Sequence, residues 1–584
     1  VEKIKRQTIE AIVHDAERKG HVVGVRMSLP DNDQDIEPWT AAPSRRRKEL
    51  RIEGPLPRQL ELTLGDQIYL PKEELPAGLR NRLVRLAAFQ NPEFYKAQAM
   101  RLPTYDKPRI IACAEDFPKY IALPRGCLDD LIQCLHHLKI NPMINDQRFS
   151  GKKLDVTFQG QLRPGQQEAF DALFAEETGV LSATTAFGKT VVAARLIAER
   201  SVNPLVLVHR RSLLEQWIER LATFLNIPKK LIGQIGAGRK KPGGLIDVGI
   251  IQSLVRKGTV DDQVGEYGHL VVDECHHLSA QSFELVARRA KARYVTGLSA
   301  TVARKDGHHP IIFMQCGPVR YQVSAKSQAE LRPFIHTVHV RPTGFYSTAT
   351  SDDDSRAIFQ SLCNELIHDD ARNRMICDDV KMVVNEDRFP LLLTQRTEHL
   401  DHLAELLSPY VPQLIVLKGG MSNKQRKAAM DRLASLDESK PRLLLATGHY
   451  IGEGFDDQRL DTLMLTMPVS WRGTITQYAG RLHRLHDSKR EVRVYDYADL
   501  NVSMLSKMFD RRCRGYEAIG YKVFLPVNAV TGWPGDVSLP IDANWKDRHA
   551  TSIQRLIRDG VDASLADLFV RTVESTGDGS VSAV

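Results

Sequence analysis

The chain has few cysteines, and they do not form the patterns of zinc or disulfide sites. Its eight cysteines among 584 residues lie far apart, and no two of them form a C-x-x-C pair. A zinc ribbon and a disulfide framework both need closely spaced cysteines, so neither is predicted. Scattered, unpaired cysteines are typical of the reducing cytoplasm, which is the location we expect.

Long apolar runs are also missing. No stretch of about 18 consecutive apolar residues occurs, and the N-terminal residues have no signal-peptide pattern. We therefore expect no membrane partner. The chain begins at Val1 rather than at Met, which suggests that a longer natural N-terminus precedes it.

The overall composition is that of a globular protein with packed cores. Hydrophobic residues make up 42% of the chain and charged residues 26%, and the length predicts about three to five domains. The net charge of +8 suits a polyanionic partner such as nucleic acid but does not require one.

A phosphate-binding loop is predicted in the stretch Val180–Val192, VLSATTAFGKTVV. A strand-like apolar run ends before Gly188, Lys189 and Thr190, and a helical apolar pattern follows. Backbone N–H groups of such a turn bind an anion, the Lys ammonium reaches the outer phosphates, and the Thr hydroxyl can ligate magnesium. The usual pattern has a Gly where this chain has Ala183.

An acidic pair is the second strong signal. The apolar run that ends at Val272 is followed directly by Asp273 and Glu274. In parallel sheets the carboxyl ends of strands carry the functional groups. The first carboxylate can hold magnesium, and the second can polarise the water that attacks a terminal phosphate. Acidic pairs are common on surfaces, but a pair that follows a buried strand is not.

Two arginines form the third signal. Arg481 and Arg484 lie three residues apart in a helical pattern, and so share one face. Guanidinium groups can bind a phosphate in a fixed geometry and stabilise charge that develops during hydrolysis. An ordinary surface position is the alternative for either arginine alone.

Strands alternate with helices twice along the chain, which predicts an α/β fold with two tandem doubly wound parallel sheets. We also predict one helix from Pro76 to about Leu102, strands at Val22–Val25 and Tyr120–Leu123, and a last helix at Ile553–Phe569. The predicted segments are an N-terminal accessory region (1–75), a small α/β module that is a candidate DNA-binding module (76–158), a first sheet domain that binds ATP (159–325), a helical connector (326–385), a second sheet domain (386–500) and a helical C-terminal tail (501–584).

From about Leu162 to Asp499 the chain resembles the core of a superfamily 2 helicase of the DExH type, which implies two RecA-like domains. The full series of motifs occurs in order. The matching stretches are Thr184–Thr190 (motif I), Val208–Trp217 (Ia), Asp273–His276 (II), Ser299–Thr301 (III), Thr394–Leu400 (IV), Thr447–Asp456 (V) and Gln477–Arg484 (VI).

The resemblance implies ATP and Mg²⁺ as cofactors and gives each matching position a role. Glu274 would act as general base and Gln166 would contact adenine. The implied catalytic residues are Lys189, Glu274, Arg481, Arg484 and Gln477. Implied cofactor contacts are Arg163, Gln166, Thr185, Ala186, Phe187, Gly188, Lys189, Thr190, Gly454 and Asp456. Thr190 and Asp273 would hold Mg²⁺, and Ser299 and Thr301 would couple the nucleotide site to the rest of the domain. Implied nucleic-acid contacts are His209, Arg210, Gln252, Arg304, Arg396 and Thr447.

Two narrower resemblances are present. The runs GLSATVARKDG, IALPRG and LRPGQQEA resemble the XPB-like branch of DNA helicases, although Lys305 stands where XPB has Glu. The runs NPEFYKAQAMRL, LPRGCLDDL and RLIRDGVDASLADLFV resemble the helicase part of primase-helicases from transposon-associated conflict systems of the TOTE type. That likeness implies a primase-polymerase domain or protein as partner.

The function that we predict is an ATP-dependent DNA helicase, moving 3′ to 5′ by resemblance. Three alternatives stay open: a duplex translocase without net unwinding, an RNA helicase, and a non-motor binding subunit. A non-motor subunit would be expected to have lost a motif residue, and Lys189, Asp273, Glu274, Arg481 and Arg484 are all present.

Overall fold

The computed structural model describes residues 52, 55–256, 258–276, 280–300, 307–330, 332–347, 355–436, 442–448, 457–469, 472–486, 489–526 and 538–541. The strand predicted at Val22–Val25 and the helix predicted at Ile553–Phe569 lie outside these residues. The chain divides into two compact units. Unit 1 comprises the residues up to Ala183 and Gly188–Gln322, and unit 2 comprises Thr184–Phe187 and the residues from Val323 onward.

The N-terminal part of unit 1 is a small module of sheet and helices. Its strands form a five-stranded sheet in the order β5-β6-β2-β1-β7 and a separate β3-β4 pair. The strands are β1 (Gln59–Leu64), β2 (Ile68–Pro71), β3 (Ala88–Gln90), β4 (Ile110–Ala112), β5 (Glu115–Asp116), β6 (Tyr120–Leu123) and β7 (Asn141–Asp146). The helices are α1 (Ala77–Leu86), α2 (Pro92–Ala99) and α3 (Leu128–His137).

The single helix predicted from Pro76 to Leu102 is wrong. Helix α1 ends at Leu86, β3 follows, and α2 begins at Pro92. Asn91 adopts an extended conformation before this proline and caps α2, because its side chain accepts a hydrogen bond from the N–H of Glu93 at 3.0 Å. A proline is compatible with the first turn of a helix but not with its interior, so it starts a new helix here.

The first large sheet has eight strands in the order β11-β10-β12-β9-β15-β16-β8-β17. All neighbours are parallel except β10 and β11. The strands are β8 (Thr178–Ser182), β9 (Pro204–Val208), β10 (Ile232–Gly236), β11 (Arg239–Lys241), β12 (Ile246–Ile250), β15 (His269–Val272), β16 (Tyr294–Ser299) and β17 (Val319–Gln322), and a short β13-β14 pair (Val255–Arg256 and Thr259–Val260) lies apart. The helices are α4 (Pro164–Phe174), α5 (Lys189–Arg200), α6 (Arg211–Phe224), α7 (Ala280–Ala287) and α8 (Pro310–Cys316).

The N-terminal module is joined to the first large sheet by a buried arginine. The guanidinium of Arg125 donates to the carbonyls of Asp66 at 2.8 Å, Ala287 at 2.9 Å and Ala292 at 3.2 Å. Asp66 belongs to the module, whereas the two alanines flank the turn between α7 and β16. Because a buried guanidinium needs several acceptors, these carbonyls fix the module against the sheet.

Unit 2 contains the second large sheet, in the order β20-β21-β19-β22-β23-β18-β24-β25. All neighbours are parallel except β24 and β25. The strands are β18 (Ile335–Pro342), β19 (Pro390–Thr394), β20 (Leu414–Leu417), β21 (Leu443–Thr447), β22 (Thr462–Leu465), β23 (Glu491–Ala498), β24 (Lys522–Pro526) and β25 (Ser538–Ile541). The helices are α9 (Ala325–Glu330), α10 (Ser355–Ile367), α11 (Asp370–Asn385), α12 (Thr397–Leu407), α13 (Asn423–Ser435), α14 (Arg472–Leu482) and α15 (Ser503–Ala518).

The fold class predicted from the sequence is confirmed: each unit carries a RecA-like, doubly wound parallel sheet. Two segments differ from their predicted helical character. The segment 326–385 contributes β18, which pairs with β23 and β24, and the tail contributes β24 and β25 besides α15. The strand IHTVHVRP contains two histidines and ends in Arg and Pro, so its apolar alternation is weak. Its strand partners lie more than a hundred residues away, where local patterns cannot reveal them.

Among the residues that the structure describes, no helix combines the length and apolar character that crossing a membrane would need.

Candidate ATP-hydrolysis site

The predicted phosphate-binding loop connects β8 to the N-terminus of α5. Gly188 precedes the helix with φ of 97°, and Ala186 has φ of 68°. The positive φ at position 188 favours glycine, and a Cβ atom at this position would also press against the side-chain amide of Gln166. Lys189 starts α5, and its Nζ donates to the carbonyl of Ala183 at 3.1 Å. The helix N-terminus and the ammonium thus form a positive region beside the loop.

The acidic pair lies at the carboxyl end of β15, which is two strands away from β8. Asp273 is buried, and each of its carboxylate oxygens accepts one hydrogen bond: Oδ1 from the N–H of Glu274 at 3.0 Å and Oδ2 from the indole N–H of Trp217 at 2.7 Å. Burial raises the pKa of Asp273, and the nearby charge of Glu274 adds to the rise, whereas the Trp217 hydrogen bond and Lys189 oppose it. The two hydrogen bonds fix the orientation of the Asp273 carboxylate.

Glu274 connects the lysine to a histidine and a serine. Its Oε1 lies 3.6 Å from Nζ of Lys189, and its Oε2 lies 3.3 Å from Nδ1 of His276. The same His276 nitrogen lies 2.8 Å from Oγ of Ser299, which ends β16. Glu274 has φ of 45°, which is uncommon for a residue with a side chain.

The adenine-side residues predicted from the sequence lie at the start of α4. Gln166 is buried, and its Oε1 accepts a hydrogen bond from the N–H of Arg163 at 3.0 Å. Its Nε2 faces Gly188, as described above. Phe187 is buried, whereas Thr185 and Thr190 are half-buried.

The oxygen atoms of Thr190 and Asp273 fit a magnesium ion better than a softer metal, because Mg²⁺ prefers hard oxygen ligands. Among the described residues no cluster of three or more His, Cys, Asp or Glu side chains could hold a metal ion. A protein site with one or two oxygen ligands suits Mg²⁺ that takes its other ligands from phosphate and water. The residues present therefore fit Mg²⁺ bound together with a nucleotide.

The described positions of the predicted nucleic-acid contacts in unit 1 lie at this same carboxyl edge. His209 and Arg210 follow β9, and Gln252 follows β12 and is exposed. Because the strands are parallel, these turns share one edge of the sheet with the phosphate-binding loop. Thr301 and Arg304 lie outside the described residues.

In unit 2 the predicted residues also follow strands or lie in α14. Arg396 follows β19 and donates to Oε1 of Gln360, and Thr447 is buried at the end of the neighbouring strand β21. Arg481 and Arg484 are both half-buried at the C-terminal end of α14. Gln477 lies in α14, and Gly454 and Asp456 lie outside the described residues.

Parts of the chain are similar to known proteins. Residues 159–304 match the family described as "Type III restriction enzyme, res subunit". A protein of Acanthamoeba polyphaga mimivirus that is named as an ATP-dependent RNA helicase is 25% identical to this chain over 390 residues. The matched residues cover 63% of this chain and 70% of the mimivirus protein. The DNA 3′-5′ translocase XPB2 of Sulfurisphaera tokodaii is 30% identical over 169 residues, which cover 29% of this chain and 37% of its own.

The chain is thus similar to superfamily 2 helicases, XPB proteins among them. Its enzyme class is ATP hydrolase acting on nucleic acid. Among solved structures, S. cerevisiae Dbp5 bound to RNA and ADP-beryllium fluoride is 13% identical to this chain, with a TM-score of 0.43; the match covers 68% of this chain and 93% of the Dbp5 chain.

Two residues that contact the candidate site residues were not singled out by the sequence analysis. Trp217 was recognised only as the end of motif Ia, and nothing in the sequence indicates that its N–H reaches Asp273, 56 residues away. His276 was recognised only as the last letter of motif II. The Trp217 indole can only donate a hydrogen bond, and it is buried, so it needs an acceptor such as Asp273. Its burial is visible only in the structure.

Proposed function

We propose that the protein is an ATP-driven motor that moves along nucleic acid, with DNA as the favoured substrate. The observation that supports this most is the arrangement of Lys189, Glu274 and Asp273 at one sheet edge beside a helix N-terminus. A lysine for phosphate, a carboxylate for the metal and a second carboxylate for water are the groups that phosphoryl transfer to water requires.

In the proposed mechanism Lys189 and the N–H groups at the start of α5 bind the terminal phosphates of ATP. Bound Mg²⁺ would neutralise phosphate charge, with Thr190 and Asp273 as its protein ligands. Glu274 accepts a proton from the attacking water, and its second oxygen stays oriented by His276. Ser299, at the end of β16, contacts the His276 ring and so connects Glu274 to this strand through His276.

Arg481 and Arg484 are proposed to stabilise the charge that develops on the leaving phosphates. A rigid guanidinium suits this role because it donates several hydrogen bonds to an anion without losing its charge. When hydrolysis removes the terminal phosphate, the arginines lose their anion, and the resulting change of conformation would drive a step along the strand.

DNA is favoured because the sequence is similar to XPB proteins, one of which is named a DNA 3′-5′ translocase. Movement from 3′ to 5′ is proposed on that similarity alone. RNA remains the second candidate, because the mimivirus relative is named an RNA helicase. A role in mobile-element conflict, with a primase-polymerase partner, is proposed only on the sequence resemblance.

The experiment that tests the substrate compares ATP hydrolysis in the presence of single-stranded DNA, duplex DNA, forked DNA and RNA. We expect DNA to stimulate hydrolysis more than RNA of the same sequence, and the stimulation to weaken with salt because phosphate contacts dominate binding. Stimulation by RNA alone would contradict the choice of DNA.

A second experiment separates unwinding from translocation. Strand displacement from a forked duplex reports unwinding, and displacement of a triplex-forming strand reports movement along an intact duplex. Both activities are expected of a helicase. Triplex displacement without strand displacement would favour the translocase.

A further inference from the structure

The two arginines proposed to act on ATP are carried by the C-terminal end of a helix. Helix α14 ends at Leu482, and Arg484 lies in the turn that follows. Carbonyl groups in the last turn of a helix have no N–H partner within the helix. A group that binds these carbonyls therefore helps to fix the path of the backbone from Arg481 to Arg484.

Lys489 supplies the donors. Its Nζ donates to the carbonyl of Leu482 at 2.8 Å and to the carbonyl of Arg484 at 2.9 Å. The side chain reaches back from the start of the next strand, and a cation at a helix C-terminus also interacts favourably with the helix dipole. One ammonium group thus holds two carbonyls on either side of His483.

The environment of this ammonium is unusual for a lysine. Lys489 is only 3% exposed, and its Nζ lies 5.9 Å from the centre of the Phe334 ring. Burial lowers the pKa of Lys489 to about 8, while the charges of Asp461 and Asp457 oppose the fall. A buried ammonium is costly, so its two carbonyl partners must compensate for the lost water.

A second contact fixes His483, which lies between the two carbonyls. Its Nε2 lies 2.8 Å from the hydroxyl of Tyr521, which precedes β24. The His483 ring also packs edge-on against His336 of β18, with the ring centres 5.0 Å apart. Burial lowers the pKa of His483 well below its ordinary value, and it lowers the pKa of His336 to about 4, so both rings are neutral near pH 7.

We propose that Lys489 is a positioning residue for ATP hydrolysis, which sets the backbone of Arg481 and Arg484 through the carbonyls of Leu482 and Arg484. This inference rests on the proposed function of the two arginines and goes beyond it, because Lys489 is buried and its Nζ donates to backbone carbonyls. Tyr521 supports the same segment from the chain beyond the helicase motifs.

The first test is Lys489→Met, which keeps the length of the apolar stem and removes the donors. We expect kcat for nucleic-acid-stimulated ATP hydrolysis to fall roughly ten- to hundredfold, because a small misplacement of a group that acts in the transition state is costly. The KM for ATP should change much less, since the proposed phosphate and magnesium ligands Lys189, Thr190 and Asp273 lie in unit 1. Lys507→Met is the matched control, because Lys507 is an exposed lysine of α15 in the same unit.

The pH profile separates positioning from a purely structural role. Among the described residues, Lys489 is faced by Asp457, Asp461, Arg332 and Arg484, and also by His483. Neither Asp nor Arg ordinarily titrates between about pH 7 and 9, and the lowered pKa of His483 keeps its ring neutral there. Because the pKa of Lys489 is about 8, raising the pH through this value removes its charge and weakens its hydrogen bonds. Wild-type kcat should therefore decline above about pH 8, and Lys489→Arg, which stays charged, should not show this decline.

The outcomes are distinct. A wild-type kcat in Lys489→Met, or a wild-type profile that stays level above about pH 8, overturns the positioning role. If thermal melting shows that Lys489→Met is unfolded, the wild-type and Lys507→Met pH profiles decide the question alone. Failure of the proposed function looks different, because wild-type protein would then show no nucleic-acid-stimulated hydrolysis at any pH.

Discussion

The carboxyl edge of the first sheet and the segment Arg481–Arg484 of unit 2, here called the arginine segment, are supported in different ways. At the first edge the candidate side chains contact one another: Lys189 lies beside Glu274, Glu274 beside His276, and His276 beside Ser299. The arginine segment depends instead on residues outside its motif, Lys489 and Tyr521. The first site is built from its own motifs, whereas the second is positioned by the surrounding fold.

This difference predicts how mutations will act. Substitutions of Lys189 and Glu274 at the first edge should each remove one chemical contribution, because each side chain has its own proposed role there. Changes around the second segment should act through position and should respond to conservative replacements. Together with the Lys489 variants, four substitutions test this contrast: in order of expected effect, three remove a proposed chemical group and the fourth removes a supporting hydrogen bond at the first edge.

Lys189→Ala is expected to have the largest effect. It removes the ammonium beside the phosphate loop, so nucleic-acid-stimulated ATP hydrolysis should fall to background. Binding of a fluorescent oligonucleotide without nucleotide should be nearly unchanged. The control is Lys230→Ala, which removes an exposed lysine of unit 1. Undiminished turnover in Lys189→Ala would contradict the assignment of the loop.

Arg481→Ala should come next. An arginine that stabilises transferring phosphate is worth about 10³-fold or more in rate, so kcat should fall by that order while ATP still binds. Arg432→Ala, at an exposed position on α13, serves as the control in unit 2. A rate equal to wild type would remove Arg481 from the mechanism and leave the proposed charge stabilisation to Arg484.

Glu274→Gln should lower the rate by about 10²-fold, which is a typical contribution of a positioned general base. The amide keeps the shape of the side chain, so ATP should bind with near wild-type affinity in an equilibrium binding assay. Glu215→Gln, at an exposed position on α6, is the matched control. Normal hydrolysis by the Glu274→Gln variant would exclude general-base action at this position.

Trp217→Phe is expected to have the smallest effect of the four. Phenylalanine keeps an aromatic ring but cannot donate to Oδ2 of Asp273, so the carboxylate loses part of its orientation. Loss of such a supporting hydrogen bond should raise the Mg²⁺ concentration needed for half-maximal binding of a fluorescent ADP by about tenfold. Equal Mg²⁺ dependence in wild type and variant would show that Trp217 has only a packing role.

The sequence predicted the first sheet and its site better than the rest. Lys189 and Thr190 follow a strand and open a helix, and Asp273 and Glu274 end an apolar strand, so local patterns place them. Strands such as Leu205–Val208 are fully buried and read as continuous apolar runs. The order of motifs along the chain then favours a single site at one sheet edge.

Long-range pairing was beyond such patterns. Strand β18 lies between β23 and β24, and the contact of Tyr521 with His483 joins residues 38 positions apart. The hydrogen bond from Trp217 to Asp273 is another example. Each of these contacts depends on which strands and helices the fold brings together. The local pattern of apolar and polar residues does not show this.

The central claim is that this chain couples ATP hydrolysis to nucleic acid. The most direct measurement is the steady-state rate of ATP hydrolysis by the wild-type protein and by Lys189→Ala, with and without single-stranded or forked DNA. We predict that DNA raises the wild-type rate and leaves the variant at background. A wild-type rate that neither DNA nor RNA changes, or a variant as fast as wild type, would contradict the claim.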